Sequence, residues 1–321
     1  MQRSVEVGDY FGKIQDLRFR KTFFISGLFP DMENVKVLVE ALPYIRDFHG
    51  STMVIKFGGH AMVNEKIMEN TIKDILLLYF VGIKPIVIHG GGPEISEKME
   101  KLGLKPKFVD GLRITDEETL EVVQMVLDGK INSKIVSTFI KNGGKAVGIS
   151  AKDGLLVVAK KKTIKKRVGG EEVELDLGYV GESEFVNPDI LRILVDNNFI
   201  PVVSPIAADK EGRVFNLNAD IVAGHIAGAV KAKKLIMLTD VPGLLENSDD
   251  PASLISRINL SDLEKMLGEG RIMGGMIPKV ESVIVALKEG VEKAHIIDGS
   301  KEHSILIELF TKEGIGTMVE R

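Results

Sequence analysis

Short, wholly apolar runs alternate along this chain with longer stretches in which apolar residues return every three or four positions. Met53-Val54-Ile55 runs into Lys56-Phe57-Gly58, and Ile86-Val87-Ile88 runs into His89-Gly90-Gly91. Runs this short, closed by glycine, read as buried strands. The pattern predicts strands at residues 52–56, 84–89, 146–149, 155–159, 201–205, 234–239 and 294–297. Between the first two strands, Ile67, Ile72, Ile75, Leu76 and Tyr79 keep near-helical spacing over residues 64–81, with Asn64 as the N-cap. Further helices are expected at 94–102, 219–230 and 279–288. Thr115-Asp116-Glu117-Glu118 and Ser261-Asp262-Leu263-Glu264 read as capping boxes, the first opening a helix to about Leu127. Asn187-Pro188 pairs an N-cap with a first-turn proline ahead of residues 189–195. Such alternation predicts an α/β fold with a mostly parallel sheet.

Two stretches fall outside the alternation. Residues 160–177 read as a solvated hairpin turning at Gly169-Gly170, with lysines on one arm and glutamates on the other. Residues 34–48 read as a helix with the apolar stripe Val35, Leu38, Val39 and Leu42, kinked by Pro43. A polar turn at residues 206–212 marks an internal seam.

Composition narrows the class. With 321 residues and 44% hydrophobic content there is material for a sizeable core. A net charge of −4 argues against nucleic acid as partner, and the absence of cysteine excludes disulfides, thiolate metal sites and a cysteine nucleophile. The longest apolar run, residues 75–83, is too short to span a bilayer. Phe23-Phe24-Ile25 follows basic residues but lacks a cleavage pattern. A soluble, cytoplasmic protein with no membrane partner is expected.

The chemistry concentrates where strands meet glycines. A lysine and bare backbone amides delivered to one sheet edge suit phosphate or carboxylate oxygens, because glycine lets the main chain approach an anion. Neither G-x-x-x-x-G-K-[ST] nor a strand-linked G-x-G-x-x-G is present, so the phosphates must be held in another way. Asn216-Leu-Asn-Ala-Asp220 and Gly274-Gly-Met-Ile-Pro-Lys279 stand where loops enter helices, and Thr239-Asp-Val-Pro-Gly243 ends a strand. Asn218 reads as an N-cap, and His89 as a histidine that hydrogen-bonds rather than transfers protons.

With Lys56-Phe-Gly-Gly, His89-Gly-Gly-Gly and Gly111-Leu-Arg-Ile-Thr, these segments in this order and spacing make the chain resemble the N-acetylglutamate kinases of the amino acid kinase superfamily. The match runs from about Asn34 to Met318, and it implies an open, mainly parallel sheet sandwiched between helix layers. The resemblance implies ATP-dependent phosphorylation of the γ-carboxylate of N-acetyl-L-glutamate, with Mg²⁺ held mainly by the nucleotide phosphates. It implies catalytic Lys56 and Lys279, oriented by Asp220. Gly91 and Gly92 would bind the reacting carboxylate, and Arg113 and Asn216 the α-carboxylate. Gly58 and Gly59 would clear space for the phosphates, while Asp240, Val241, Pro242, Gly243, Leu244 and Leu245, with Arg271, Ile272 and Met273, would line the nucleotide. The implied organisation is an unmatched extension (1–31), a kinked helix (32–49), an acyl-amino-acid lobe (50–205) and a nucleotide lobe (206–321).

Arginine-inhibited members resemble the chain in the kinked helix and in Glu308-Leu-Phe-Thr-Lys-Glu-Gly-Ile-Gly-Thr. That implies a ring-shaped hexamer, a trimer of dimers, and an L-arginine site drawn from Tyr44, Lys234, His295, Glu308, Gly314 and Gly316. Two departures stand out: His60 after the glycine pair where a small residue is common, and Ala151 where glycine is common, for which a local backbone adjustment is expected. Alternatives at this stage are a kinase of N-acetyl-aminoadipate, of unacylated glutamate or aspartate, or of carbamate, and a non-catalytic amino-acid-binding module.

Overall fold

The computed structural model describes residues 32–58, 62, 64–168, 171–247 and 250–321. The extension, Gly59, His60 and the Gly169-Gly170 turn lie outside them. The chain divides into two units, Met1–Pro43 and Tyr44–Arg321. Helix α1 (Met32–Phe48) is continuous with Pro43 inside it. Of its stripe, Val39 and Leu42 are each 57% exposed.

Eight strands build one sheet: β1 (Thr52–Phe57), β2 (Lys84–His89), β5 (Ala146–Ser150), β8 (Ile200–Ser204), β11 (Lys234–Thr239), β12 (Arg257–Asn259), β13 (Lys293–Asp298) and β14 (Thr317–Glu320). Their order is β12-β14-β13-β11-β1-β2-β8-β5, parallel from β13 to β5. Within this sheet, among the described residues, only the β13–β14 pairing is antiparallel. The central strands are buried on both faces, which accounts for their continuous apolar runs.

Helices connect them: α2 (Glu65–Phe80), α3 (Gly92–Lys101), α4 (Glu117–Gln124), α5 (Ser133–Lys141), α6 (Asp189–Asp196), α7 (Ala219–Ala229), α8 (Leu260–Gly268), α9 (Ile277–Lys288) and α10 (Ser304–Phe310). Asn64 and Asn218 cap α2 and α7 as expected. The two capping boxes are corrected by one and two residues. Asp116, not Thr115, accepts the Thr119 N–H (2.9 Å), since Thr115 is buried and its hydroxyl is donated to Arg113 O. Asn259, ahead of Ser261, accepts the Asp262 N–H at 2.8 Å. Nor does the helix stop near Leu127: α4 passes into a π-helix, Met125–Asn132, and then into α5.

The strand expected from Leu155 starts later, at Val157, because Gly154 (φ 62°) and Leu155 (φ 55°) form a turn. Strands β6 (Val157–Val168) and β7 (Glu171–Val186) make the expected hairpin, longer than foreseen. They close a small barrel with β9 (Ile206–Ala208) and β10 (Val214–Asn216), so the seam is a hairpin too. Two-residue strands β3 (Phe108–Val109) and β4 (Leu112–Arg113) pair antiparallel and carry Arg113. Ala151 is buried and adopts no positive φ.

Candidate active site

Parallel pairing of β1 with β2 brings Lys56 and the His89-Gly90-Gly91-Gly92 loop to one sheet edge. The Lys56 ammonium folds back over Gly58, where any Cβ would collide with it. It pairs with Asp220 Oδ1 at 2.8 Å, and Lys279 Nζ donates to Oδ2 of the same carboxylate at 3.0 Å. Asp220 stands in the first turn of α7 and Lys279 in the first turn of α9, two helices packed together. Burial works to raise the Asp220 carboxyl, yet the charges of Lys56 and then Lys279 overcome it and hold it below the ordinary range. Two cations on one anion leave a net positive charge beside an opening.

That opening is a cavity of about 250 Å³, lined by Gly91, Gly92, Arg113 and Asn216 together with Lys56, Gly58 and Asp220. The glycine loop is wired toward it. Gly90 O faces His89 Nδ1 at 2.9 Å, Gly91 O accepts from Ile95 N at 3.0 Å, and Gly92 O accepts from Arg113 Nη2 at 2.9 Å. Among the described residues the N–H groups of Gly91 and Gly92 have no acceptor. They are unsatisfied donors at a helix N-terminus, the arrangement that holds anionic oxygens.

Arg113 is buried, with Phe108 packed on its guanidinium at 4.7 Å, and donates further to Ser96 Oγ at 2.8 Å. Burial lowers its pKa, but a guanidinium stays protonated. Among the described residues no carboxylate forms an ion pair with it, although Glu94 lines the same cavity with its Oε2 buried and unpartnered. Asn216 lies across from it, its amide 3.5 Å from Thr115 Oγ1.

A second cavity, about 400 Å³, is lined by Val241, Gly243, Leu244, Leu245, Arg271, Ile272 and Met273; Asp240 and Pro242 belong to the same turn without lining it. Met266 and Met276 complete an apolar wall fit for a flat ring. Among the described residues no three His, Asp or Glu side chains converge to cage a metal.

The remaining expected residues meet at the opposite sheet edge. Lys234 Nζ is 2.8 Å from His295 Nε2, and His295 Nδ1 is 2.6 Å from Glu308 Oε1. Glu308 Oε2 accepts from Ile315 N (2.7 Å) and Gly316 N (3.1 Å). Gly314 (φ 64°) and Gly316 have no room for a Cβ, against Glu308 and Ile296 O respectively. Tyr44 stacks edge-on to Phe310, and Phe48 lies between them and Lys234. Burial drives Lys234 down to about 8 and lowers His295, while Glu308, which burial would raise, is held low by His295 and the two backbone N–H groups.

The sequence did not single out Asn132, whose amide lies 3.1 Å from His89 Nε2. One asparagine late in a helical pattern carries no spacing signal. Ser96, four residues beyond Gly92 on α3, could have been found as a same-face neighbour of the loop.

The chain matches the amino acid kinase family over residues 51–298. It is 75% identical over 289 residues to the acetylglutamate kinase of Archaeoglobus fulgidus, covering 90% of this chain and 100% of that one. It is 55% identical over 291 residues to the acetylglutamate kinase of Methanocaldococcus jannaschii, covering 90% and 97%. Among solved structures it resembles the N-acetylglutamate synthase of Neisseria gonorrhoeae complexed with coenzyme A and N-acetyl-glutamate (TM-score 0.77, 26% identity), covering 89% of this chain and 63% of that one. The carbamate kinase of Giardia lamblia bound to AMP-PNP shares the fold (TM-score 0.59, 17% identity, covering 84% and 98%).

Proposed function

The chain belongs to the acetylglutamate kinases of the amino acid kinase family, and from that premise we infer that it transfers the γ-phosphoryl group of ATP to the γ-carboxylate of N-acetyl-L-glutamate, a step of arginine biosynthesis. The observation that carries the reading is the Lys56–Asp220–Lys279 cluster beside the unpartnered Gly91 and Gly92 N–H groups. A carboxylate is already ionised near neutrality, so the nucleophile needs no general base. What opposes the reaction is the approach of one anion to another. Two lysines held by one carboxylate, with oriented amides, offset that repulsion, and phosphoryl transfer asks mainly for such positioning and electrostatics.

In this reading Gly91 and Gly92 hold the attacking carboxylate, and Arg113 with Asn216 grips the α-carboxylate. The methionine-walled cavity takes the nucleotide, and Gly58 and Gly59 admit its phosphates. The acceptor and nucleotide lobes divide at residues 205 and 206. Bound Mg²⁺ would neutralise phosphate charge. With no protein cage among the described residues, the nucleotide's own oxygens are its fitting ligands.

The finer reading is feedback inhibition by L-arginine bound near Tyr44, Lys234, His295, Glu308, Gly314 and Gly316, in a hexamer joined through α1. The buried Glu308 carboxylate, on the same short helix as Phe310, which meets Tyr44 edge-on, supports a guanidinium-binding role. A chain starting after Phe48 is expected to sediment as a dimer with weakened arginine response; a hexamer with unchanged response refutes this part. An ADP-release assay over N-acetylglutamate, N-acetyl-aminoadipate, glutamate, aspartate and carbamate tests the activity itself. The reading expects the highest kcat/KM with N-acetylglutamate, and a different preferred acceptor overturns it.

A further inference from the structure

The glycine loop is held from behind by the π-helix Met125–Asn132. A π turn inserts an extra residue and re-aims the side chains that follow it. Here three of them meet the loop. Leu127 and Ile131 fill the space that a Cβ at Gly91 would need, and Asn132 reaches His89 at the end of β2.

The orientation of the Asn132 amide is fixed by its neighbours. Its Nδ2 lies 2.9 Å from Val202 O, and a carbonyl can only accept. The other N–H has two acceptors in reach, His89 Nε2 at 3.1 Å and Ile149 O at 3.4 Å, and the imidazole is the nearer. The Oδ1 end lies against Gly148, where a Cβ would collide with it, which accounts for a glycine inside β5. An accepting Nε2 leaves the proton of a neutral ring on Nδ1, which then donates to Gly90 O. Burial, and secondarily the charge of Lys56 on β1, disfavour the imidazolium and push its pKa down to about 4, so the ring is neutral at physiological pH.

Gly90 C=O and Gly91 N–H belong to one planar trans peptide and point opposite ways. Tying the carbonyl to His89 therefore aims the Gly91 N–H away from the ring. Ile95 N–H does the same for the next peptide through Gly91 O. We propose that Asn132 is a positioning residue for the phosphoryl acceptor, fixing His89 in its Nδ1–H tautomer so that the Gly91 N–H is held toward the reacting carboxylate. This rests on the functional reading above.

The test reverses the polarity of position 132 in the full chain. In Asn132→Asp a carboxylate faces Nε2 and draws the proton there. At low pH the ring carries both protons and keeps its bond to Gly90 O; at higher pH the single proton stays on Nε2 and the bond is lost. The kcat of Asn132→Asp relative to wild type is expected to fall at least ~10-fold between pH 6 and 9, with KM for ATP within about twofold. Ring ¹⁵N spectra, assigned by loss of the His89 signal in a variant, should show protonated Nδ1 and bare Nε2 in wild type and the reverse in Asn132→Asp at pH 9. If Asn132→Asp does not fold, His89→Asn, which keeps a donor near Nδ1, should retain at least ~10-fold more kcat than His89→Leu. A flat relative pH profile with an unchanged tautomer, or equal kcat in the two His89 variants, overturns the inference. A wild type inactive on N-acetylglutamate overturns the functional reading instead, and the ¹⁵N spectra then decide the tautomer lock separately.

Discussion

Lys56 lies at the C-terminal end of β1 and Lys234 at the N-terminal start of its parallel neighbour β11, so one pairing sets two buried lysines at opposite edges of the sheet. Each joins a cluster with one carboxylate, and the two clusters are wired differently. Asp220 gives one oxygen to each of two lysines, leaving an excess positive charge beside open space. Glu308 gives one oxygen to His295 and the other to two backbone N–H groups, while Lys234 leans on a histidine that burial keeps neutral. In the proposed reaction an incoming anion completes the first cluster. In the second both carboxylate oxygens are engaged within the fold, tying down residues 315 and 316, and an incoming guanidinium would compete with His295 or with those N–H groups. What a buried charge network can take up thus depends on where its surplus charge points, not on its residue types alone.

Removing the central carboxylate from each cluster should expose that difference. Asp220→Ala strands two lysines in low dielectric and is expected to cost about 3–5 kcal/mol of stability. Glu308→Ala leaves neutral or hydrogen-bonding groups unpaired, for about 1–3 kcal/mol. Urea unfolding of both variants ranks them; an Asp220→Ala protein as stable as wild type would break the comparison.

Titration separates the clusters next. Lys234 has its folded pKa pushed from 10.5 to about 8. Between those values the unfolded chain binds more protons than the native one, so this group's contribution rises with pH across the window, by roughly 3 kcal/mol. Relative to Lys234→Met, wild type should gain stability from about pH 8 to 10.5. Asp220 is lowered, so its contribution is present above the ordinary carboxylate value and is lost only as pH falls through the depressed one. Stability differences that do not change with alkaline pH would refute the Lys234 assignment.

A smaller effect sharpens the acceptor side. Arg113→Lys keeps the charge and loses the planar fork that reaches Gly92 O and Ser96 while facing the cavity. The acceptor KM should rise ~10-fold, well above any change in the KM for ATP. The opposite ranking would put Arg113 outside the acceptor site.

Much of this was legible because the residues carry position-dependent signals. Lys56 interrupts an apolar strand just before glycines, so its place at the sheet edge follows from strand geometry. Asp220 follows an asparagine cap by two residues, which sets it in a helix first turn. The barrel was not legible: β9 and β10 have three residues each, too few for an alternation to register. The π-helix was hidden too, since its inserted residue breaks the helical period that would mark it. Thr115 and Asp116 are both good caps by type, and only the burial of Thr115 under the β7 strand decides between them.

In the proposed reaction Lys56 and Lys279, held by one carboxylate, stabilise charge that develops in transfer. Steady-state kinetics of Lys56→Ala and Lys279→Ala on N-acetyl-L-glutamate and MgATP test it most directly. Each variant should lose at least ~100-fold in kcat with a smaller change in acceptor KM. Either variant turning over near the wild-type kcat would contradict the account.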